Sequence, residues 1–82
     1  MITAGQMKAA RALLALDQKQ FAEETGLSLP TIQRMEASDG TVRGNVDSLV
    51  KVIEAFERLG VILINENESS QSGGRGVRLS ST

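Results

Sequence analysis

The 82-residue chain contains no cysteine, no histidine, no tryptophan and no tyrosine. Without cysteine there is neither a disulfide staple nor a thiolate metal site. Without histidine the commonest general base and the commonest metal ligand are both missing, and a site built from carboxylates alone is a poor holder of zinc. No metal and no cofactor is expected, and nothing resembles a nucleophile with a base beside it, so the chain reads as non-enzymatic. Aromatics are reduced to Phe21 and Phe56. Proteins that take single-stranded nucleic acid stack bases on aromatic rings, and this chain has almost none to offer. No stretch approaches the ~20 apolar residues that span a bilayer. The opening MITAGQMKAARALLALD lacks a charged region ahead of an apolar one, so it does not read as a signal peptide; a cytoplasmic protein with no membrane partner is the expectation.

Nor is there an excess of positive charge: the formal net charge is -1. Its distribution is uneven. Up to Gly44, five bases (Lys8, Arg11, Lys19, Arg34, Arg43) balance five acids (Asp17, Glu23, Glu24, Glu36, Asp39). From Asn45 to Glu68 two bases face five acids, and after Glu68 come Arg75 and Arg78 with no acid. The acidic surplus therefore lies outside the first half. A chain of this length supplies one small core, burying only ~60–65% of its unfolded surface, and gains much from pairing with a second copy.

What is present is a succession of helix signals. Thr3 and Gln6 have the spacing of a capping box, and Met7, Ala10, Leu13 and Leu14 recur at helical spacing, predicting a first helix that ends near Leu16–Asp17. Asp17 caps a second helix, Gln18 to Thr25, with Phe21, Ala22 and Thr25 on one face. Gly26 follows, where a left-handed backbone favours glycine. Ser28 caps a third helix that runs to about Ala37, with Pro30 in its first turn. Ser38 to Gly44 is a loop by composition. Asn45 caps a fourth helix with Asp47 in its first turn. Val46, Leu49, Val50, Ile53, Phe56 and Leu59 form its apolar stripe, Val52 widens that stripe beyond one core face, and Gly60 stops the helix. Val61–Ile64 reads as a strand and Val77–Leu79 as a returning strand, giving a β-hairpin or a sheet between two chains. Asn65 to Gly76 reads as a mobile Ser/Gly loop. The expectation is a mainly α four-helix bundle with a short C-terminal β extension, divided as residues 1–60 and 61–82.

Residues Gln18 to Glu36, QKQFAEETGLSLPTIQRME, carry the most information. Two helices crossing steeply over a very short turn need a small residue at their contact (Ala22), glycine in the turn (Gly26), an apolar plug after it (Leu27) and two apolar residues packing back (Ile32, Met35). All five occur at the required spacing, which favours a helix-turn-helix over an ordinary helical hairpin. With Arg11, Gln18, Ala22, Gly26, Ser28, Ile32 and Glu36 in place, the stretch from Gln6 to Leu59 resembles the phage-repressor-like (Cro/CI, or XRE) family of helix-turn-helix regulators. That resemblance implies a transcriptional regulator, a repressor by type, whose dimers bind palindromic operators in double-stranded DNA with the third helix in the major groove.

The resemblance also implies roles for individual residues. Gln18 anchors a phosphate from the second helix's N-terminus, where free N–H groups favour an anion. Ser28, Leu29, Pro30 and Thr31 open the reading helix, followed by Gln33 and Arg34, which suit adenine and guanine edges. Leu29 and Pro30 depart from the usual polar readers and leave apolar contact with a thymine methyl. Arg43 faces phosphate, and Lys19 is a further DNA-binding candidate. Arg11 and Glu36 form a structural ion pair across the first and third helices. For Gln33, Arg34, Lys8 and Lys19 the plain alternative is a solvated helix face, and for Arg11 and Glu36 two independent surface residues. A homodimer interface is expected at Val52, Phe56, Leu59, Val61, Ile62, Leu63 and Ile64, because together they exceed one small core.

Other patterns carry less. Gly73-Gly74-Arg75-Gly76 lacks the Lys-Ser/Thr and the strand-to-helix context of a phosphate-cradling loop. Glu23 and Glu24 point about 100° apart on a helix and cannot converge on one substrate. The alternative function is a protein-interaction module on the same fold, an antitoxin or antiactivator whose partner is a toxin or an activator. The acidic balance and the apolar Leu29-Pro30 favour that alternative; a toxin-like neighbouring gene is its discriminator.

Overall fold

The computed structural model describes residues 2–64 and 74–80. Four helices, α1 (Ala4–Leu13), α2 (Gln18–Thr25), α3 (Leu29–Glu36) and α4 (Val46–Arg58), are followed by a two-stranded antiparallel hairpin, β1 (Val61–Ile64) and β2 (Gly76–Leu79). Its register pairs Val61 with Leu79 and Ile64 with Gly76. The pairing is within one chain. The expected loop over Asn65 to Gly76 lies, for residues 65–73, outside the described residues.

Side chains placed one residue before each helix set where it starts. Thr3 Oγ1 accepts from the Gln6 amide at 3.1 Å while Gln6 Oε1 accepts from the Thr3 amide at 2.9 Å. Asp17 and Gln20 repeat that reciprocal box on α2. Ser28 and Asn45 accept from Thr31 and Ser48 amides to open α3 and α4. These bonds satisfy donors that the helical ladder leaves orphaned.

The end of α1 differs from the sequence expectation. The helix stops at Leu13, not near Leu16–Asp17, because the chain turns through a left-handed residue at Ala15, φ +56°. The Ala15 amide bonds back to the Ala12 carbonyl and the Leu16 amide to the Arg11 carbonyl, a Schellman-type ending with alanine where glycine is usual. Gly26 ends α2 in the same left-handed conformation, φ +77°, as its position predicted.

The core gathers Ile2, Met7, Phe21, Ile32, Met35, Val52 and Phe56, all essentially inaccessible. Phe21 and Phe56, the chain's only aromatics, stack with ring centroids 4.5 Å apart and planes 14° from parallel, tying α2 to α4. A backbone bridge pairs Thr3 with Thr41, through Ala4 N–H to Gly40 O (2.8 Å) and Val42 N–H to Ile2 O (3.0 Å), and so fastens the α3–α4 loop to the start of α1. The hairpin joins the same core through Val61 and is hooked to α1 by Gln6. Buried beneath it, the Gln6 amide nitrogen donates to the carbonyls of Ile64 (2.9 Å) and Gly76 (3.1 Å), closing the last rung of the hairpin.

The apolar stripe of α4 is rotated from the one expected. The core face is Ser48, Leu49, Val52, Ala55 and Phe56. Val52 therefore does not widen a surface stripe; it sits fully inside one chain, as do Phe56 and Val61. Small Ser48 and Ala55 let the helix lie close to the core, and this close approach turns Val46 and Val50 outward instead. Of the seven residues expected at a partner surface, Leu59, Ile62, Leu63 and Ile64 are half-buried and the other three are interior.

Candidate nucleic-acid interface

The α2–α3 turn is built from its residue types. Ala22 is buried where α2 meets α3, Ile32 and Met35 pack back into the core, and Leu27 closes the turn half-buried. Thr25 adds a fastening not legible beforehand: its hydroxyl donates to the Ala22 carbonyl at 2.9 Å and accepts from the Leu27 amide at 3.1 Å. Arg58 reaches across from α4 to the Glu24 carbonyl (2.8 Å) and carboxylate (3.1 Å), so the end of α2 is held from a third element.

A polar knot lies behind this unit. Arg11 Nε and Nη2 donate to the two oxygens of Glu36 at 2.8 and 2.9 Å, a parallel fork of charge-assisted bonds. Arg11 Nη1 donates to the Leu16 carbonyl at 3.0 Å, which the left-handed turn at Ala15 swings into reach. Glu36 is only 3% exposed, yet both its oxygens are bonded. The hydrogen bond to Glu36 holds the Arg11 guanidinium in its charged form more firmly than usual, outweighing the opposing effect of partial burial; the charges of Glu36 and Asp17 act in the same direction. Gln18 completes the knot: its amide nitrogen donates to Glu36 Oε1 at 3.1 Å. One amide hydrogen and the amide oxygen of Gln18 remain for other partners. The residue expected to clamp a phosphate is thus held at the N-terminus of α2 by a carboxylate from α3.

Helix α3 divides sharply. Ile32, Met35 and Glu36 face inward, whereas Ser28, Pro30, Gln33 and Arg34 are exposed, with Leu29 and Thr31 half-buried between them. The Thr31 hydroxyl links two of the outward groups, lying 2.9 Å from Ser28 Oγ and accepting from Arg34 Nη2 at 3.3 Å. Arg34 is thereby drawn toward the first turn of its own helix, with the rest of its donors unspent among the described residues. Beyond α3, Arg34 and Arg43 flank an open concavity of about 580 Å³, lined also by Ala37, Ser38, Asp39 and Gly44. The Arg43 amide donates to Ser38 Oγ at 2.9 Å, which shapes that loop. Lys19 is exposed in the first turn of α2, beside Gln18.

The structure therefore brings Gln18, Glu36 and Arg11 into contact, ranges Ser28, Pro30, Gln33 and Arg34 along the outer side of α3, and places Arg43 with Arg34 on the lining of one concavity. The Gln18–Glu36 bond and the Thr31–Arg34 bond went unforeseen. The first joins residues eighteen positions apart, and only the α2–α3 crossing angle brings them together. The second had a usable signal, since residues i and i+3 on a helix are neighbours.

Among the described residues, no helix is long and apolar enough to cross a membrane. No curated protein matches the chain. The helix-turn-helix family model matches residues 7–58, which run from within α1 to the end of α4 and include the polar knot and the outward side of α3, and the chain accordingly belongs to the XRE-type helix-turn-helix family: it is a DNA-binding transcription regulator.

Proposed function

We propose that the chain is a repressor-type regulator that binds a palindromic operator in duplex DNA as a homodimer, with α3 in the major groove. The observation that supports this reading best is the division of α3, with its apolar residues and Glu36 turned inward while Ser28, Pro30, Gln33 and Arg34 are left to solvent. An exposed arginine and glutamine one position apart on a short rigid helix suit the edges of guanine and adenine. Leu29 and Pro30 offer apolar contact to a thymine methyl. Gln18 and the free N–H groups of α2's N-terminus hold a phosphate beside the groove, and Lys19 and Arg43 add charge to neighbouring phosphates. In the homodimer two copies of α3 lie about 34 Å apart, one turn of the duplex.

The test compares two variants. Arg34→Ala costs about 1–3 kcal/mol on the cognate site and little on random duplex. Gln18→Ala weakens cognate and random DNA alike, with little change in the dependence on salt, because no charge is removed. The reverse pattern contradicts the assigned register of α3.

A second reading has support from one feature, the apolar opening of α3 at Leu29 and Pro30. On that reading the same surface engages a protein, as an antitoxin or antiactivator does. Co-purification with the product of a neighbouring toxin-like gene, lost on Leu29→Lys, is its signature.

A further inference from the structure

The outward side of α3 carries a ladder of side-chain contacts at every third residue. Ser28 Oγ lies 2.9 Å from the Thr31 hydroxyl, and that hydroxyl accepts from Arg34 Nη2 at 3.3 Å. Arginine offers only donors, so the oxygen of Thr31 is the acceptor in the second contact. Among the described residues no carboxylate pairs with Arg34, although Asp39 lines the same concavity. We propose that Thr31 is a positioning residue that sets sequence specificity through Arg34: its hydroxyl draws the guanidinium toward the N-terminal end of α3 and makes a reader of guanine out of what is otherwise a general phosphate contact. The inference rests on the reading of α3 as the helix in the major groove.

Arg34 stands sixth of the eight residues of α3, about 7.5 Å along the axis from Leu29. A recognition helix brings its N-terminal residues to the base edges, so a residue this far along reaches them only if its side chain runs back toward the N-terminus. Helical side chains already lean that way, and the Thr31 bond fixes the charged end of a long, flexible one there. Released from Thr31, the guanidinium is free to swing over the concavity beside Asp39, where it meets phosphate without reading sequence. Threonine inside a helix commonly turns its hydroxyl onto a carbonyl of the preceding turn. Here the side chain of Ser28, the N-cap, engages that hydroxyl instead and keeps it on the outer side. The bond to Thr31 spends a single donor of the guanidinium and leaves a two-donor edge for the O6 and N7 acceptors of guanine.

Binding of the full chain to duplex from its own upstream region, and to random duplex, tests this. Thr31→Val keeps the shape of the side chain and removes the hydroxyl; the cap of α3 survives, because the Thr31 amide is what donates to Ser28 Oγ. This variant lowers affinity for the upstream duplex about fivefold and leaves random duplex unaffected, whereas Thr31→Ser retains the parent's preference. In an Arg34→Ala background Thr31→Val has no further effect. In the free chain, nitrogen relaxation at Arg34 Nε shows greater mobility in Thr31→Val than in the parent or in Thr31→Ser. A Thr31→Val loss that persists without Arg34 overturns the inference, since Thr31 then touches DNA itself or only supports the cap. So does a Thr31→Val chain with undiminished preference, a loss that Thr31→Ser shares, or an Arg34 Nε equally mobile in all three. A parent chain with no preference for its own duplex contradicts the operator reading and this inference together; a parent that has the preference, with Thr31→Val indifferent, contradicts this inference alone.

Discussion

The α2–α3 unit and the C-terminal hairpin are held to the same core in different ways. Behind α2 and α3, Arg11, Glu36 and Gln18 interlock through four side-chain hydrogen bonds, counting the one to Leu16, over a floor that includes Phe21, Ile32 and Met35. The hairpin has one fully interior side chain, Val61, and one buried hook, the Gln6 amide. Redundant fastening suits a surface whose groups have to meet a ligand in fixed geometry. The hairpin's few attachments mark it as the part that opens first, since local opening follows the number of buried contacts that oppose it.

Removing the shared floor abolishes the contrast. Phe56→Ala takes away the stacking partner of Phe21 and the largest interior side chain of α4, and costs about 3–5 kcal/mol, enough to unfold much of a domain this small. Denaturant titration followed by circular dichroism detects it. Next in size is Glu36→Ala. It leaves Arg11 without its fork and Gln18 without its anchor, and costs about 3 kcal/mol, the low end for a broken buried pair because Arg11 keeps some access to water. Glu36→Gln retains an acceptor and loses less. If the knot positions Gln18, both variants also weaken DNA binding under conditions where the fold is intact.

Gln6→Ala sharpens the difference between the regions. It removes the donor to the Ile64 and Gly76 carbonyls and half of the α1 capping box, at a cost of about 1–2 kcal/mol. Amide exchange then accelerates at Ile62, Leu63 and Val77 but not at Ile32 or Met35. Equal acceleration throughout would show that the hairpin and the helices open as one unit. The smallest effect is favourable. Ala15 holds a left-handed conformation that disfavours a side chain, and Ala15→Gly raises stability by up to about 1 kcal/mol without moving the Leu16 carbonyl from Arg11.

These regions also differ in how far they could be read from residues alone. The caps at Thr3, Asp17, Ser28 and Asn45, the turn at Gly26 and the strands around Val61 and Val77 depend on neighbours a few positions away, so local pattern was sufficient. The early end of α1 was not legible, because alanine carries no mark of a left-handed turn. Neither was Gln6: its partners lie 58 and 70 positions away, and its role in the capping box already accounted for it. The rotation of α4 escaped because hydrophobicity favours Val46 and Val50 over Ser48 and Ala55. Close packing reverses that order, since small residues permit the contact that buries Val52 and Phe56. Arg11 and Glu36 were paired through family resemblance; Gln18 joined them only once the crossing of α2 and α3 was in view.

The central claim is that the outward side of α3 and the anchored Gln18 form a duplex-DNA surface. Its most direct test is equilibrium binding of the unaltered chain to duplex from its own upstream region, titrated with salt. The account predicts cognate affinity well above that for random duplex, with affinity for both falling as salt rises in proportion to the phosphates contacted. Failure to bind either duplex at about 50 mM salt, where phosphate contacts are strongest, would contradict it.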